Sequence, residues 1–332
     1  MSQQAEEGDM AGLRHLPFPA PASVLVFFLL LVAGRAEAGN FSSPGFPIHD
    51  FPTSGFPVPG FRVIMEEIEL ADGTAADVYG PAIPRVLKRK LEDSFPVGVL
   101  LQGALVDKAF YSAYARRIAE NGYVVVVPNR ERIFGPAPPA LLTDVHAVTD
   151  ALEAMIVEDA SPASPFYRIT DPATSFVIGH SFGGAVAIDA AAGVCMPPFC
   201  DPARGPFFRP TGLRAAVIYG ASQVDCDPDP PASAADCTAL DRKTDGVAVA
   251  LIQGTNDGIA SPLKADATLP ELEPPHALVQ IPGATHFALC NVAQPPPPVR
   301  LEPNASELDQ QTAIALVAEE TLDWLEMILA TD

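Results

Sequence analysis

The sequence predicts an α/β protein, because short and almost wholly apolar runs alternate with stretches of helical length. Runs such as 97–102 and 123–128 show no polar face, as expected of strands covered on both sides. Strands of that kind separated by helices imply crossover units, hence a mainly parallel central sheet with helices on both faces. In order, residues 62–70 read as a strand, Ala71-Asp72-Gly73 as a hairpin turn and 74–79 as the partner strand. A strand at 97–102, a helix at about 109–121 and a strand at 123–128 follow. Next come a helix at about 140–158, a strand at 174–179, a helix at about 183–193 and a strand at 214–220. The Pro/Asp/Cys-rich stretch 222–244 reads as a surface excursion, too short for a domain. Strands at 247–253 and 277–281 and an amphipathic helix at about 308–330 close the series.

With 332 residues, 48% hydrophobic and 18% charged, the chain is expected to form one domain over 62–332. Ahead of it, Ser23 to Ala33 is apolar but short for a membrane span, so it reads as the core of a signal peptide over 1–38. Arg14 precedes that core and Ala36-Glu37-Ala38 offers a cleavage site; translation from Met10 would remove an acidic start. An uncleaved N-terminal anchor is the alternative. Residues 39–61, dense in Pro, Gly and Phe, read as an extended arm or tether. The expected location is therefore secreted or periplasmic, with no membrane span left after cleavage and a monomeric state. Sequons stand at Asn40 and Asn304.

Lys and Arg number 20 against 41 Asp and Glu, a formal charge of −21, which would repel a phosphate backbone and argues against nucleic acid as a partner. Five cysteines all lie beyond the leader, and the close pairs Cys195/Cys200 and Cys226/Cys237 are suited to disulfides in an exported chain, with one thiol left over. Their spacing matches no zinc pattern, and no metal or other cofactor is expected.

The motif with chemistry in it is Gly179-His180-Ser181-Phe182-Gly183-Gly184, between the strand at 174–179 and an Ala-rich helix. A nucleophile elbow needs that setting: the abrupt strand-to-helix turn exposes the serine, and the glycines on either side leave room for it. A serine hydroxyl needs a histidine to take its proton and a carboxylate to hold that histidine. Of six histidines, His15 and His49 lie in the N-terminal segments, His180 is inside the elbow, and His146 and His276 suit ordinary surface roles. His286, in the turn after the last short strand, is the candidate base. Asp257, just past the strand at 247–253, is the candidate acid, with Asp225 and Asp227 as fallbacks. Backbone N–H groups of Ala104 and Phe182 are the candidate oxyanion hole, and Leu105, His180 and Phe287 are expected to line the substrate pocket.

The order Ser181, Asp257, His286 is that of α/β-hydrolases. From about residue 62 to 330 the chain resembles the branch that contains chlorophyllases, cutinase-like polyester hydrolases and platelet-activating-factor acetylhydrolase-like esterases. The pieces that carry the resemblance are Val99-Leu-Leu-Gln-Gly103, Arg117-Ile-Ala-Glu-Asn-Gly-Tyr-Val-Val125, the elbow, Gly254-Thr-Asn-Asp-Gly-Ile-Ala260 and Gly283-Ala-Thr-His-Phe287. It implies the α/β-hydrolase fold without a large lid and the same triad acting on a small-molecule or polymeric ester. The sequence departs from the polyester hydrolases at Ala104, where they place an aromatic, and its single tryptophan, Trp324, lies in the last helix. It departs from chlorophyllases at Phe182, where they carry Arg. The expected function is a secreted serine esterase acting on short to medium neutral esters. Chlorophyllase-like or polyester hydrolysis, and a non-catalytic binding protein on the same scaffold, are the alternatives.

Overall fold

Eight strands form the sheet on which the rest of the protein is laid, and in the order of their positions across it they begin at Val63, Ala75, Val124, Phe95, Thr170, Leu213, Ala248 and His276. The computed structural model describes residues 60–88, 94–133, 139–240 and 242–330. These belong to one compact unit. The segment 1–38 read as a signal peptide, the alternative start Met10, nearly all of the proline-rich arm, His15, His49 and the sequon at Asn40 lie outside them.

In chain order the elements are β1 (Val63–Glu69), β2 (Ala75–Pro81), the single turn α1 (Arg85–Lys88), β3 (Phe95–Leu101), α2 (Ser112–Glu120) and β4 (Val124–Pro128). The small strands β5 (Glu131–Arg132) and β6 (Ala140–Leu141) precede α3 (His146–Ala160), β7 (Thr170–His180), α4 (Phe182–Ala192) and β8 (Leu213–Tyr219). Then come β9 (Val224–Cys226), β10 (Cys237–Ala239), β11 (Ala248–Gly254), α5 (Pro262–Thr268), β12 (His276–Ile281) and α6 (Gln310–Leu329). Within the large sheet only β2 runs antiparallel to its neighbours, β1 and β4. Every other neighbouring pair is parallel.

The apolar runs form central strands because both of their faces are covered. Val97, Val99, Val124, Val126, Ala216, Ile218, Val249 and Leu251 join one core with Val148 and Met155 of α3 and Val186 of α4. The alternate residues Leu100, Val125, Val127, Val217, Ala250 and Ile252 join the other, with Tyr114 and Ile118 of α2 and Ile314, Val317 and Trp324 of α6. The period of two along each strand thus places helices on both faces. The chain is α/β with a mostly parallel central sheet.

Three features differ from the sequence-based expectation. The helix placed at about 140–158 begins only at His146, because the preceding residues serve a buried charge cluster. Asp144, wholly buried, faces Arg130 Nε at 3.4 Å and Arg132 Nε at 3.7 Å, so Ala140–Leu141 pairs with Glu131–Arg132 instead. His146 is accordingly a buried first residue of its helix, not a surface one in mid-helix. The excursion 222–244 contains the β9/β10 ribbon and is tied to the body by Lys264–Asp229 at 2.8 Å and Arg242–Asp189 at 2.6 Å.

Cys195–Cys200 and Cys226–Cys237 are disulfides, and Cys290 is a buried free thiol. Among the described residues no helix is long and apolar enough to cross a membrane.

Candidate active site

β7 ends at His180 and α4 begins at Phe182, which leaves Ser181 alone to turn the chain. It does so at φ 52° and ψ −120°, in the half of conformational space that favours glycine. Strain of this kind costs on the order of 1–3 kcal/mol and persists only where the surroundings enforce it. Here a Cβ on Gly179 would collide with Gly183 O and lie 2.6 Å from Gly184 Cα. One on Gly183 would collide with the Leu101 carbonyl and sit 2.5 Å from Gln102 O. The two glycines therefore let α4 pass close over β3 and lift the Ser181 hydroxyl, which stays partly exposed.

The expected partners meet at that hydroxyl. His286 Nε2 lies 2.8 Å from Ser181 Oγ, and His286 Nδ1 lies 2.8 Å from Asp257 Oδ2. Because an ionised carboxylate only accepts, Nδ1 carries the ring proton and Nε2 is left as the acceptor for the serine O–H. Asp257 is held in turn: Oδ1 accepts from Ile259 N–H at 2.9 Å and Ala260 N–H at 2.7 Å, and Oδ2 accepts from Gln253 Nε2 at 3.1 Å. Asp257 and His286 are both buried, so water does not compete for these bonds. The fallback acids Asp225 and Asp227 lie in and beside the β9 ribbon, and His276 opens β12; none of them pairs with His286.

Phe182 follows the serine as the first residue of α4, and Gly103, the residue before Ala104, approaches it from the loop after β3, where a Cβ would lie 3.4 Å from Ser181 Cβ. Among the described residues no hydrogen bond joins the Ala104 or Phe182 backbone N–H to a protein acceptor. Phe182 packs on Phe199 from the Cys195–Cys200 loop, with ring centroids 5.2 Å apart, and makes an apolar wall. Leu105, partly exposed, adopts φ 66° and is fixed by its N–H to Leu141 O at 2.8 Å.

Two residues expected to line the pocket are buried. His180 has no exposed surface and Phe287 only 2%, and both rings contact His286. The His180 ring is tilted against it at 4.9 Å and the Phe287 ring meets it edge-on at 5.2 Å between centroids. His180 Nε2 lies 2.9 Å from the His286 carbonyl, which fixes the proton on Nε2. Its Nδ1, 2.9 Å away, then accepts from the Tyr111 hydroxyl, which itself accepts from Gly103 N–H at 2.8 Å. Burial first, and the neighbouring His286 second, hold the His180 imidazole well below its ordinary pKa, so it stays neutral.

Sequence reasoning missed Tyr111, Phe199 and Gln253, and for Tyr111 no local signal exists, since it lies 69 residues before His180, the motif residue it bonds. The His146, Cys195 and Cys200 donors lie within 4.8 Å of one another, but the two sulfurs are joined to each other, which leaves a single histidine nitrogen for a cation. No protein-family model matches the chain, and no curated protein matches its sequence.

Proposed function

We propose that the protein is an exported serine hydrolase of the α/β-hydrolase fold that cleaves neutral carboxylic esters through an acyl-enzyme. The observation that carries this reading is the continuous Ser181–His286–Asp257 arrangement, at 2.8 Å for each link, on a serine held at positive φ. Ser181 Oγ attacks the ester carbonyl while its proton passes to His286 Nε2. The carbonyl oxygen, now negative, is received by the N–H groups of Ala104 and Phe182. Collapse breaks the bond to the alkoxy oxygen, which takes the proton from His286 as the alcohol leaves, and the acyl group stays on Ser181. Water repeats the cycle and releases the acid. Asp257 keeps its negative charge throughout and steadies the imidazolium. A formal charge of −21 disfavours anionic esters, and the Phe182 and Phe199 rings favour an apolar group beside the serine. Two disulfides support an oxidising compartment and hence export.

The test pairs a fluorophosphonate probe with hydrolysis of p-nitrophenyl butyrate. Wild-type protein is expected to be labelled on Ser181 and to turn over the ester, and Ser181→Ala to lose both with its fold intact. Retention of more than about one part in a hundred of kcat by Ser181→Ala rejects the assignment, since triad members act as a unit. A wild-type protein that neither labels nor hydrolyses is a binding protein on this scaffold.

A further inference from the structure

Asp257 follows β11 and His286 follows β12, so the acid and the base sit on separate turns whose relative position must be fixed by something else. A third segment spans them. Glu302, half-buried in the loop between His286 and α6, accepts from His286 N–H at 3.0 Å through Oε2 and from Gly258 N–H at 3.1 Å through Oε1. Oε1 also accepts from Asn304 N–H at 2.9 Å, while the Glu302 N–H donates to Gln294 Oε1 at 2.8 Å. Gly258 directly follows Asp257, whose own Oδ1 takes the next two N–H groups, of Ile259 and Ala260. Three successive amides of the acid turn thus end on two carboxylates. The same loop is clasped by Asn304 Nδ2 to Asn256 O at 3.1 Å and by Asn256 Nδ2 to Ala305 O at 2.7 Å.

We propose that Glu302 is a positioning residue: its carboxylate ties the backbone of the base to the backbone beside the acid, and so sets how the His286 ring meets both Asp257 and Ser181. This inference rests on the hydrolase reading above. A carboxylate is the group the place requires, because both partners are N–H donors and only a carboxylate accepts at both ends. Such charge-assisted bonds are about twice as strong as neutral ones. An amide of the same shape would turn one end into a donor facing a donor. Misplacement of catalytic groups by about 1 Å costs roughly a hundredfold in rate.

The experiment compares Glu302→Gln and Glu302→Ala with Glu307→Gln, an exposed carboxylate on the same loop, using p-nitrophenyl butyrate kinetics and fluorophosphonate labelling below every melting temperature. Both Glu302 variants are expected to lose about 10- to 100-fold in kcat with KM nearly unchanged and labelling slowed in parallel. Glu302→Gln should do no better than Glu302→Ala, and Glu307→Gln should match wild type. Folded Glu302 variants with wild-type kcat overturn the proposal and leave Glu302 a purely structural residue. If the variants do not fold, Gln294→Ala loosens the same loop without touching the carboxylate and should lower kcat less steeply at constant KM. Wild-type kcat there overturns the proposal equally. Wild-type protein that fails to label at all brings down the hydrolase reading, a result distinct from either.

Discussion

At the scale of single residues, the Tyr111 hydroxyl is fully committed: it accepts from Gly103 N–H and donates to His180 Nδ1 with no exposed surface. Tyr111→Phe leaves both partners buried and unpaired, at about 1–3 kcal/mol for each group. The variant should therefore melt several degrees below wild type. Because Gly103 precedes Ala104, its kcat on p-nitrophenyl butyrate should also fall while KM holds; an unaltered kcat in the folded variant would show that the proposed oxyanion hole does not depend on Tyr111. Cys290 lies against the same hydroxyl, and burial pushes its thiol well above the ordinary range, so it is protonated and unreactive. Ellman's reagent should find no thiol in native protein and one per chain after denaturation without reductant. Ser181, Asp257 and His286 were legible because each sits at the end of an apolar run, where turn chemistry is local. The burial of His180 also has a sequence signal. Phe176 and Ile178 point into the core shared with α2 and α6, and a period of two along β7 sends His180 to that same face, under the base.

At the scale of elements, α4 carries a carboxylate into the interior. Asp189 is wholly buried, with Oδ1 accepting from Arg242 Nε at 2.6 Å and Gln223 Nε2 at 3.1 Å, while Oδ2 finds no partner among the described residues. Burial outweighs the help of Arg242 and raises its pKa from 3.8 to about 6. A group whose pKa is higher in the fold than in the unfolded chain adds stability that is complete below the unfolded value and is lost as pH rises through the folded one. Wild-type stability relative to Asp189→Asn should therefore fall between about pH 4 and pH 6, by on the order of 3 kcal/mol, and level off above. Urea unfolding of both proteins at pH 4, 5 and 7 measures this, and a difference that grows with pH contradicts it. The same buried charges explain why some element boundaries were not legible. Apolar periodicity marks α2, α4 and α6 to within a few residues, but the start of α3 is decided by Asp144 meeting Arg130 and Arg132 from another part of the chain. No window of local sequence contains that pairing.

At the scale of the whole molecule, the parallel strands β7 and β11 deliver Ser181 and Asp257 to the same edge of the sheet, and the turn after β12 brings His286 between them. Any lid must come from the connections that leave that edge. Between the end of α4 and Asp257 the described residues hold strands, short 3₁₀ turns and two disulfide-closed loops, but no α-helix. The Cys195–Cys200 loop is further pinned by Arg132 Nη1 to Pro198 O at 2.7 Å and Arg132 Nη2 to Cys200 O at 3.0 Å, so Phe199 is a fixed wall. Among the described residues this stretch holds no helix that an oil–water interface could swing open. Under the proposed function Ala104 leaves more room beside Ser181 than an aromatic would, and apolar walls discriminate by only about 1–3 kcal/mol per methylene. Activity along a p-nitrophenyl series from acetate to palmitate should accordingly be high on soluble short and medium esters and change gradually with chain length. It should pass without a step through the concentration at which each ester aggregates. A sharp rise at the onset of aggregation, with little turnover of dissolved butyrate, is the behaviour of an interfacial lipase and would require a lid from outside the described residues.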